Sequence, residues 1–256
     1  MNAAKSLVQE YWDNRPCGSL EAAPELPLSS TLRAHERIRF EREPEIAAFA
    51  EFERWRGERV LEVGVGMGAD FVRFGKAGAK TVGVDLSTRS LALARRNAEL
   101  NLVLPALANA DAELLPFADG TFDLVYSWGV LHHTPETERA VHEVNRVLKP
   151  GAECRLMLYH RRSLVGLQCY IRYGLMSLRP LASVSELIGS HIESPGTRAY
   201  TVSEVRHLFR SFAQVDIRPV ATAYDLRFGR RLFAPRWMQR LVPARLGWFL
   251  LVRARK

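Results

Sequence analysis

The sequence predicts an α/β fold built on a mostly parallel sheet with helices on both faces. Three observations predict it. Short apolar runs alternate with amphipathic stretches of helical period between residues 59 and 159, the pattern of βαβ units. The first run, Arg59–Val63, feeds a glycine bend, Gly64-Val65-Gly66-Met67-Gly68, that opens onto a helical stretch. The second run closes on an acid, Asp85, 21 residues after Gly64.

Taken in order, residues 1–56 read as a mostly helical N-terminal cap. Ser6–Trp12 is a short amphipathic stretch stopped by Pro16 and Gly18, a Pro/Ser/Ala-rich loop follows, and Pro44–Trp55 is a helix with Ile46, Phe49 and Phe52 at helical spacing. Residues 57–256 form the main domain, with an insertion at about 161–200. Its elements are strand Arg59–Val63, helix Ala69–Ala77, strand Lys80–Val84, helix Ser87–Asn101 and a strand near Ala106–Ala110. After the Asp119-Gly120 turn come strand Phe122–Ser127, helix Pro135–Leu148, a stop at Lys149-Pro150-Gly151, and strand Glu153–Tyr159. The insertion begins with an apolar helix over Ser163–Leu181. Thr201–Phe212 reads as a helix capped by Thr201 or Ser203, and Gln214–Ala221 and Trp248–Arg253 read as closing strands.

Composition narrows the class. A chain of 256 residues with 47% hydrophobic residues buries a full core without covalent staples. Cys17, Cys154 and Cys169 lie far apart, so neither a disulfide framework nor a metal ladder is implied. The N-terminus lacks the apolar core of a signal peptide, and no uncharged apolar run reaches membrane-span length. The expected location is the cytoplasm. The whole net charge of +8 falls between Asp225 and Lys256, where nine Arg/Lys meet one acid. Such a tail is either a solvated surface or a contact for anionic lipid, an acidic partner or nucleic acid.

The glycine bend is the candidate cofactor site. Gly64, Gly66 and Gly68 permit positive φ and close approach of a ligand, with Val65 between them and a helix N-terminus beyond. Glu62 anchors the bend. Asp85, beside Leu86, suits both ribose hydroxyls, its alternative being a neighbour of a Ser87 helix cap. In Asn109-Ala110-Asp111-Ala112-Glu113, the Asp111 carboxylate suits an adenine amino group and the Ala112 N–H a ring nitrogen; the alternative is a plain polar loop.

The segments VLEVGVGMG, VGVDLS, NADAELLPFADGTFDLVYSWGVLHHT and EVNRVLKPGA resemble the class I S-adenosylmethionine (SAM)-dependent methyltransferases, above all the type 11, ubiquinone/menaquinone C-methyltransferase-like subgroup. The resemblance covers residues 59–158. It implies a Rossmann-like sheet of seven strands, the last antiparallel. It also implies that the bend holds the methionine end of SAM, Asp85 the ribose and Asp111 the adenine. Ser127–Leu131 would run along the cofactor, with Trp128 covering the sulfonium.

Methyl transfer from a sulfonium is an SN2 displacement, in which the protein aligns reactants and excludes water and needs a base only when the acceptor must lose a proton. Strand ends place His132, His133, Tyr159 and His160 near the pocket mouth. The three histidines are candidate bases, the alternative being loop packing. Tyr11 and Trp12 either close over the sulfonium or pack as an amphipathic face. In the loop His191–Tyr200, Arg198 and Tyr200 are the preferred substrate contacts. Apolar residues interleaved with arginines at 230–241, together with the apolar insert, suggest a hydrophobic or amphiphilic small-molecule acceptor and a peripheral position at the inner membrane face. The competing functions are an RNA methyltransferase using the basic tail, disfavoured because no RNA-binding module is visible, an NAD(P) oxidoreductase, disfavoured by the glycine spacing, and a non-catalytic SAM-binding protein.

Overall fold

Apolar side chains alternate along the central strands and therefore split between two faces of one sheet. Val60, Leu124 and Tyr126 point to one side, and Leu61, Val63 and Val125 to the other. The computed structural model describes residues 3–16, 27–228, 232–233, 236–239 and 241–256. The sheet has seven strands in the order β3-β2-β1-β4-β5-β9-β6. These are β1 (Arg59–Val63), β2 (Lys80–Asp85), β3 (Leu107–Asn109), β4 (Phe122–Trp128), β5 (Leu148–Tyr159), β6 (Gln214–Val220) and β9 (Phe249–Arg255), while β7 (Arg227–Phe228) and β8 (Leu232–Phe233) pair apart from it. The first five are parallel, and β9 runs antiparallel to both β5 and β6. Chain order reverses between β1 and β4, so a cleft opens beyond their C-terminal ends.

One face is covered by α6 (Thr137–Val147) and α9 (Val202–Leu208), which bury Val141, Val144 and Val205 against Leu61, Val125 and Leu156. Thr201 and Glu204 form a reciprocal capping box that starts α9. On the other face lie α3 (Glu45–Ala50) and a 3-10 turn, Phe52–Trp55, with α8 (Val184–His191). Ile46, Phe52 and Trp55 share a core with Val60 and Phe74, so the boundary expected at 56/57 runs through packed side chains. Arg155 of β5 is fully buried there. It pairs with Glu51 and Glu153, each at 2.7 Å, and donates to the Phe49 carbonyl at 2.5 Å.

Four elements differ from the sequence expectation. The Pro/Ser/Ala loop gives way to a 15-residue helix, α2 (Leu28–Arg42). It buries only Leu32 and His35, too few apolar positions to show a periodic stripe. The helix expected over Pro44–Trp55 breaks at Glu51, whose φ of 50° is left-handed. The stop at Lys149-Pro150-Gly151 ends a helix but does not precede the strand: β5 already begins at Leu148 and passes through these residues. The insert divides into α7 (Leu164–Cys169), a π-helical turn Tyr170–Leu175, and α8. Arg230, Arg231 and Arg240 of the basic tail lie outside the described residues. Arg253 is tied to Glu51 at 2.6 Å, and Lys256 donates to the Arg146 and Leu148 carbonyls, so part of that charge is spent inside the fold.

Candidate active site

The bend after β1 forms the floor of a cleft. At Gly64, φ is +81° and an added Cβ would lie 2.2 Å from the Val130 side chain, so only glycine fits. At Gly66, φ is +52° and nothing stands within 4 Å of such a Cβ, which leaves an open cradle over backbone N–H groups. The Gly66 N–H donates to Asp85 Oδ2 at 2.9 Å and the Ser87 N–H to Oδ1 at 2.8 Å. Each carboxylate oxygen keeps a further lone pair for a hydroxyl. Burial nevertheless pushes the Asp85 carboxyl up, against those two donors.

Glu62 is buried, and its Oε2 has no hydrogen-bond partner among the described residues. Burial, then the neighbouring Asp70 and Asp85, push its carboxyl well above the usual range. An orphaned carboxylate beside an open glycine cradle fits the ammonium of an amino acid, and Arg39 supplies the matching cation. Arg39 comes from α2 and lines the same cleft; its guanidinium binds Asp70 at 2.7 Å, which also accepts from the Tyr126 hydroxyl at 3.0 Å. At the opposite end, Asp111 Oδ1 accepts from the Glu113 N–H at 2.9 Å. Lys5 of α1 (Ala3–Asn14) reaches Asp111 Oδ2 at 2.5 Å and also pairs with Glu113. Asp13 Oδ1 accepts from the Ser87 hydroxyl at 2.7 Å, so α1 lies across the cleft.

The cleft gathers Glu62, Gly64, Val65 and Gly66 with Asp85, Leu86, Asp111 and Ala112. Trp12, Trp128 and His133 also line it. Other expected residues stand apart. A Cβ added at Gly68 would lie 3.0 Å from Ala94 Cα, so this glycine serves the close contact between α4 (Ala69–Lys76) and α5 (Thr88–Leu100). Glu113 lies beneath the loop, accepting from the Glu136 N–H. The Ser127 hydroxyl donates to the Val63 carbonyl inside the sheet. Tyr11 sits edge-on to Trp12 outside the cleft. His160 is not at the mouth: its Nδ1 lies 3.0 Å from the Gly247 carbonyl, because β9 covers this strand end. Arg198 and Tyr200 line neither cavity, since the Tyr200 hydroxyl is turned back onto Thr137 at 2.8 Å and the Arg198 N–H onto the His132 carbonyl. His132 is fully buried against the Tyr159 ring, 3.8 Å between centroids. Burial and the neighbouring His133 push its pKa well down, so it is neutral.

A second cavity, about 460 Å³, adjoins the cleft and shares Trp12, Arg39, Trp128 and Gly129 with it. Its walls are aromatic: Tyr159, Tyr173, Tyr224, Trp248 and Phe249. Glu43 holds this wall together, accepting from Trp128 Nε1 at 2.6 Å and the Tyr224 hydroxyl at 2.7 Å. The insert contributes Val165, Cys169 and Arg172, and the loop after α8 contributes Glu193. Sequence reasoning missed Arg39, Glu43 and Glu193. The first two sit in and just after α2, which has little apolar pattern, whereas Glu193 lies in the His191–Tyr200 loop, where Arg198 and Tyr200 were the expected contacts.

A family model described as "Methyltransferase domain" matches residues 61–156. Among curated relatives, a phosphatidylethanolamine N-methyltransferase of Cereibacter sphaeroides is 39% identical over 42% of this chain and 53% of its own length. A ubiquinone/menaquinone biosynthesis C-methyltransferase of Ruegeria sp. is 33% identical over 59% and 60%. A demethylmenaquinone methyltransferase of Tropheryma whipplei is 34% identical over 50% and 54%. The chain thus spans about half the length of the curated relatives it matches. Among solved structures, a SAM-dependent methyltransferase of Thermotoga maritima superposes with a TM-score of 0.57 at 18% identity, covering 97% of this chain and 99% of that one. The [4+2]-cyclase SpnF superposes at 0.60 and 18% identity, covering 97% and 94%. These structural likenesses establish the fold. Residues 61–156 thus match a methyltransferase-domain model, and they sit in a sheet of the fold that the solved SAM-dependent methyltransferase has.

Proposed function

We propose that the chain is a SAM-dependent methyltransferase whose acceptor is a small molecule held in the aromatic chamber. The observation that carries this is the common wall: Trp12, Arg39, Trp128 and Gly129 line both cavities, so the two adjoin. Bound SAM supplies an electrophilic methyl carbon on a sulfonium. The protein's own groups then have separate tasks. Asp85 takes the ribose hydroxyls, Glu62 with Arg39 takes the two charges of the amino-acid end, and Asp111 with Ala112 takes the base. Trp12 and Trp128 shield the junction from water and present π-faces to a cation. A cavity of this size suits a compact organic acceptor. Calorimetry with SAM and S-adenosylhomocysteine, followed by transfer of labelled methyl to a cell extract, tests the reading. One-site binding and a labelled small molecule are expected; binding without transfer to any small molecule would overturn it.

We further propose that the acceptor is amphiphilic and collected at an anionic membrane surface. The insert presents Leu167, Ile171 and Leu175 at four-residue spacing, all exposed, with Met176 and Leu178 beyond and Arg172 and Arg179 among them. Its other face lines the chamber. No helix among the described residues is long and apolar enough to cross a membrane, so contact would be peripheral. Flotation with phosphatidylglycerol vesicles at low salt is the check, and a chain that stays in the dense fraction would refute this part alone.

A further inference from the structure

Glu193 is a chamber carboxylate that the cofactor reading leaves unused. It follows α8 with a φ of +55°, a conformation that costs an L side chain about 1–2 kcal/mol. Neighbouring hydrogen bonds impose it. The Gly196 N–H donates to the Gly189 carbonyl at 3.0 Å, and the Arg198 N–H to the His132 carbonyl at 2.9 Å. The loop is thereby fastened to the His132–His133 turn.

The side-chain contacts distribute protons unequally. Glu193 Oε2 accepts from the Tyr159 hydroxyl at 2.8 Å and lies 3.2 Å from His133 Nε2. His133 Nδ1 is 2.9 Å from both Thr197 Oγ1 and Ser194 Oγ. Thr197 gives its one hydroxyl hydrogen to the Ser194 carbonyl at 2.6 Å, so the donor to Nδ1 is the Ser194 hydroxyl. Nδ1 is thereby taken and Nε2–H faces the Glu193 carboxylate, so neither nitrogen of buried His133 is open to an acceptor. Glu193 differs. Its side chain is 40% exposed, it faces the chamber, and its Oε1 makes no hydrogen bond among the described residues. Burial raises its carboxyl, but the His133 and Tyr159 contacts outweigh this and hold it below the usual range, hence ionised at neutral pH. Arg39, Arg172 and Arg227 also line the chamber, and they disfavour a cationic amine.

Resting on the methyl-transfer reading above, we propose that Glu193 is the catalytic base and that the acceptor is a neutral or anionic hydroxyl compound, its O–H directed at the Glu193 carboxylate. The acceptor oxygen forms the new bond to the methyl carbon and its proton passes to Glu193. The carbon–sulfur bond breaks with its electron pair remaining on sulfur, turning sulfonium into thioether. The positive charge thus leaves the sulfur and reappears as the proton on Glu193, which its exposed side returns to solvent. His133 and Tyr159 are positioning residues that hold and ionise the carboxylate.

The test compares the wild-type chain with Glu193→Gln and Glu193→Asp. S-adenosylhomocysteine affinity by calorimetry should stay within about threefold in both, because Glu193 does not line the cofactor cleft. The labelled product should carry its methyl on oxygen. Turnover should fall by about 100-fold in Glu193→Gln and recover in part in Glu193→Asp, and Glu193→Gln should lose the acid limb of the wild-type pH profile. Labelling on nitrogen or carbon, or a Glu193→Gln variant as fast as wild type, would overturn the proposal while leaving the methyltransferase reading intact. His132, His133 and Glu193 also lie close enough to share a metal ion. Activity lost to a chelator and restored by zinc would therefore overturn it too. Absent nucleoside binding would instead sink the broader reading.

Discussion

The cofactor cleft and the aromatic chamber touch, yet they are assembled in opposite ways. Most of the cleft comes from consecutive strand ends: the bend after β1, Asp85 and Leu86 after β2, and Asp111 and Ala112 after β3. The chamber draws on α1, α2, β4, β5, the insert, the loop after α8, and the chain around Tyr224 and Trp248. A site made of successive strand ends is tied to the fold itself, whereas one made of distant segments varies freely. SpnF, a [4+2]-cyclase of the same fold, makes the point: the sheet does not choose the reaction.

The largest expected effect breaks the chamber side without touching the cleft. Arg155→Met would remove the buried partner of Glu51 and Glu153 and the donor to the Phe49 carbonyl, leaving both acids only the more exposed Arg54 and Arg253. Urea denaturation should show a loss of about 3–5 kcal/mol, as for other buried pairs missing one partner, while nucleoside affinity of the folded fraction stays unchanged. A loss below about 1 kcal/mol would mean that the network behaves like a surface pair.

The converse strikes the cleft alone. Asp85→Asn keeps the shape but removes the charge that would hold the ribose, and S-adenosylhomocysteine affinity should fall by about 30-fold, the size of a lost charge-assisted hydrogen bond. A variant that binds as tightly as wild type would show that Asp85 serves only the Gly66 and Ser87 N–H groups.

The pattern that made the cleft legible is local: glycines at fixed offsets from a strand, and an acid closing each of the next two strands. The chamber had no such pattern. Arg39 belongs to a helix that buries two residues, and Glu43 works through a tryptophan and a tyrosine far along the chain. In the 191–200 loop the sequence favoured Arg198 and Tyr200, whereas Glu193 is the residue that reaches the chamber. That depends on which side chains the positive φ at 193 turns inward. Histidines at 132, 133 and 160 looked equivalent in sequence; burial and β9 separate them.

Acid response should also divide the two regions. His35, in the cleft wall, has its pKa lowered to about 4, mainly by burial and then by Arg39. The unfolded chain binds that proton near pH 6.5, so stability is lost as pH falls from about 6.5 to 4, by up to about 3 kcal/mol. His35→Gln should flatten this limb in thermal melts across that range. Glu51, on the chamber side, is held at about 2: burial opposes the ionised form, and hydrogen bonds from Arg155, Arg54 and Arg253 outweigh it. Its contribution, present above the usual carboxylate value, is lost only below about pH 4.5. A single transition common to wild type and His35→Gln would contradict the separation.

The smallest expected effect lies far from both cavities. Thr201→Ala removes half of the capping box at α9 and should cost about 1 kcal/mol without altering binding.

The most direct measurement is a structure of the chain with S-adenosylhomocysteine. The ribose should lie on Asp85, the amino-acid end on Gly66 between Glu62 and Arg39, and the base against Ala112, with sulfur facing the chamber through Trp12 and Trp128. A nucleoside bound elsewhere, or a sulfur turned away from the chamber, would contradict the shared wall on which methyl transfer here depends.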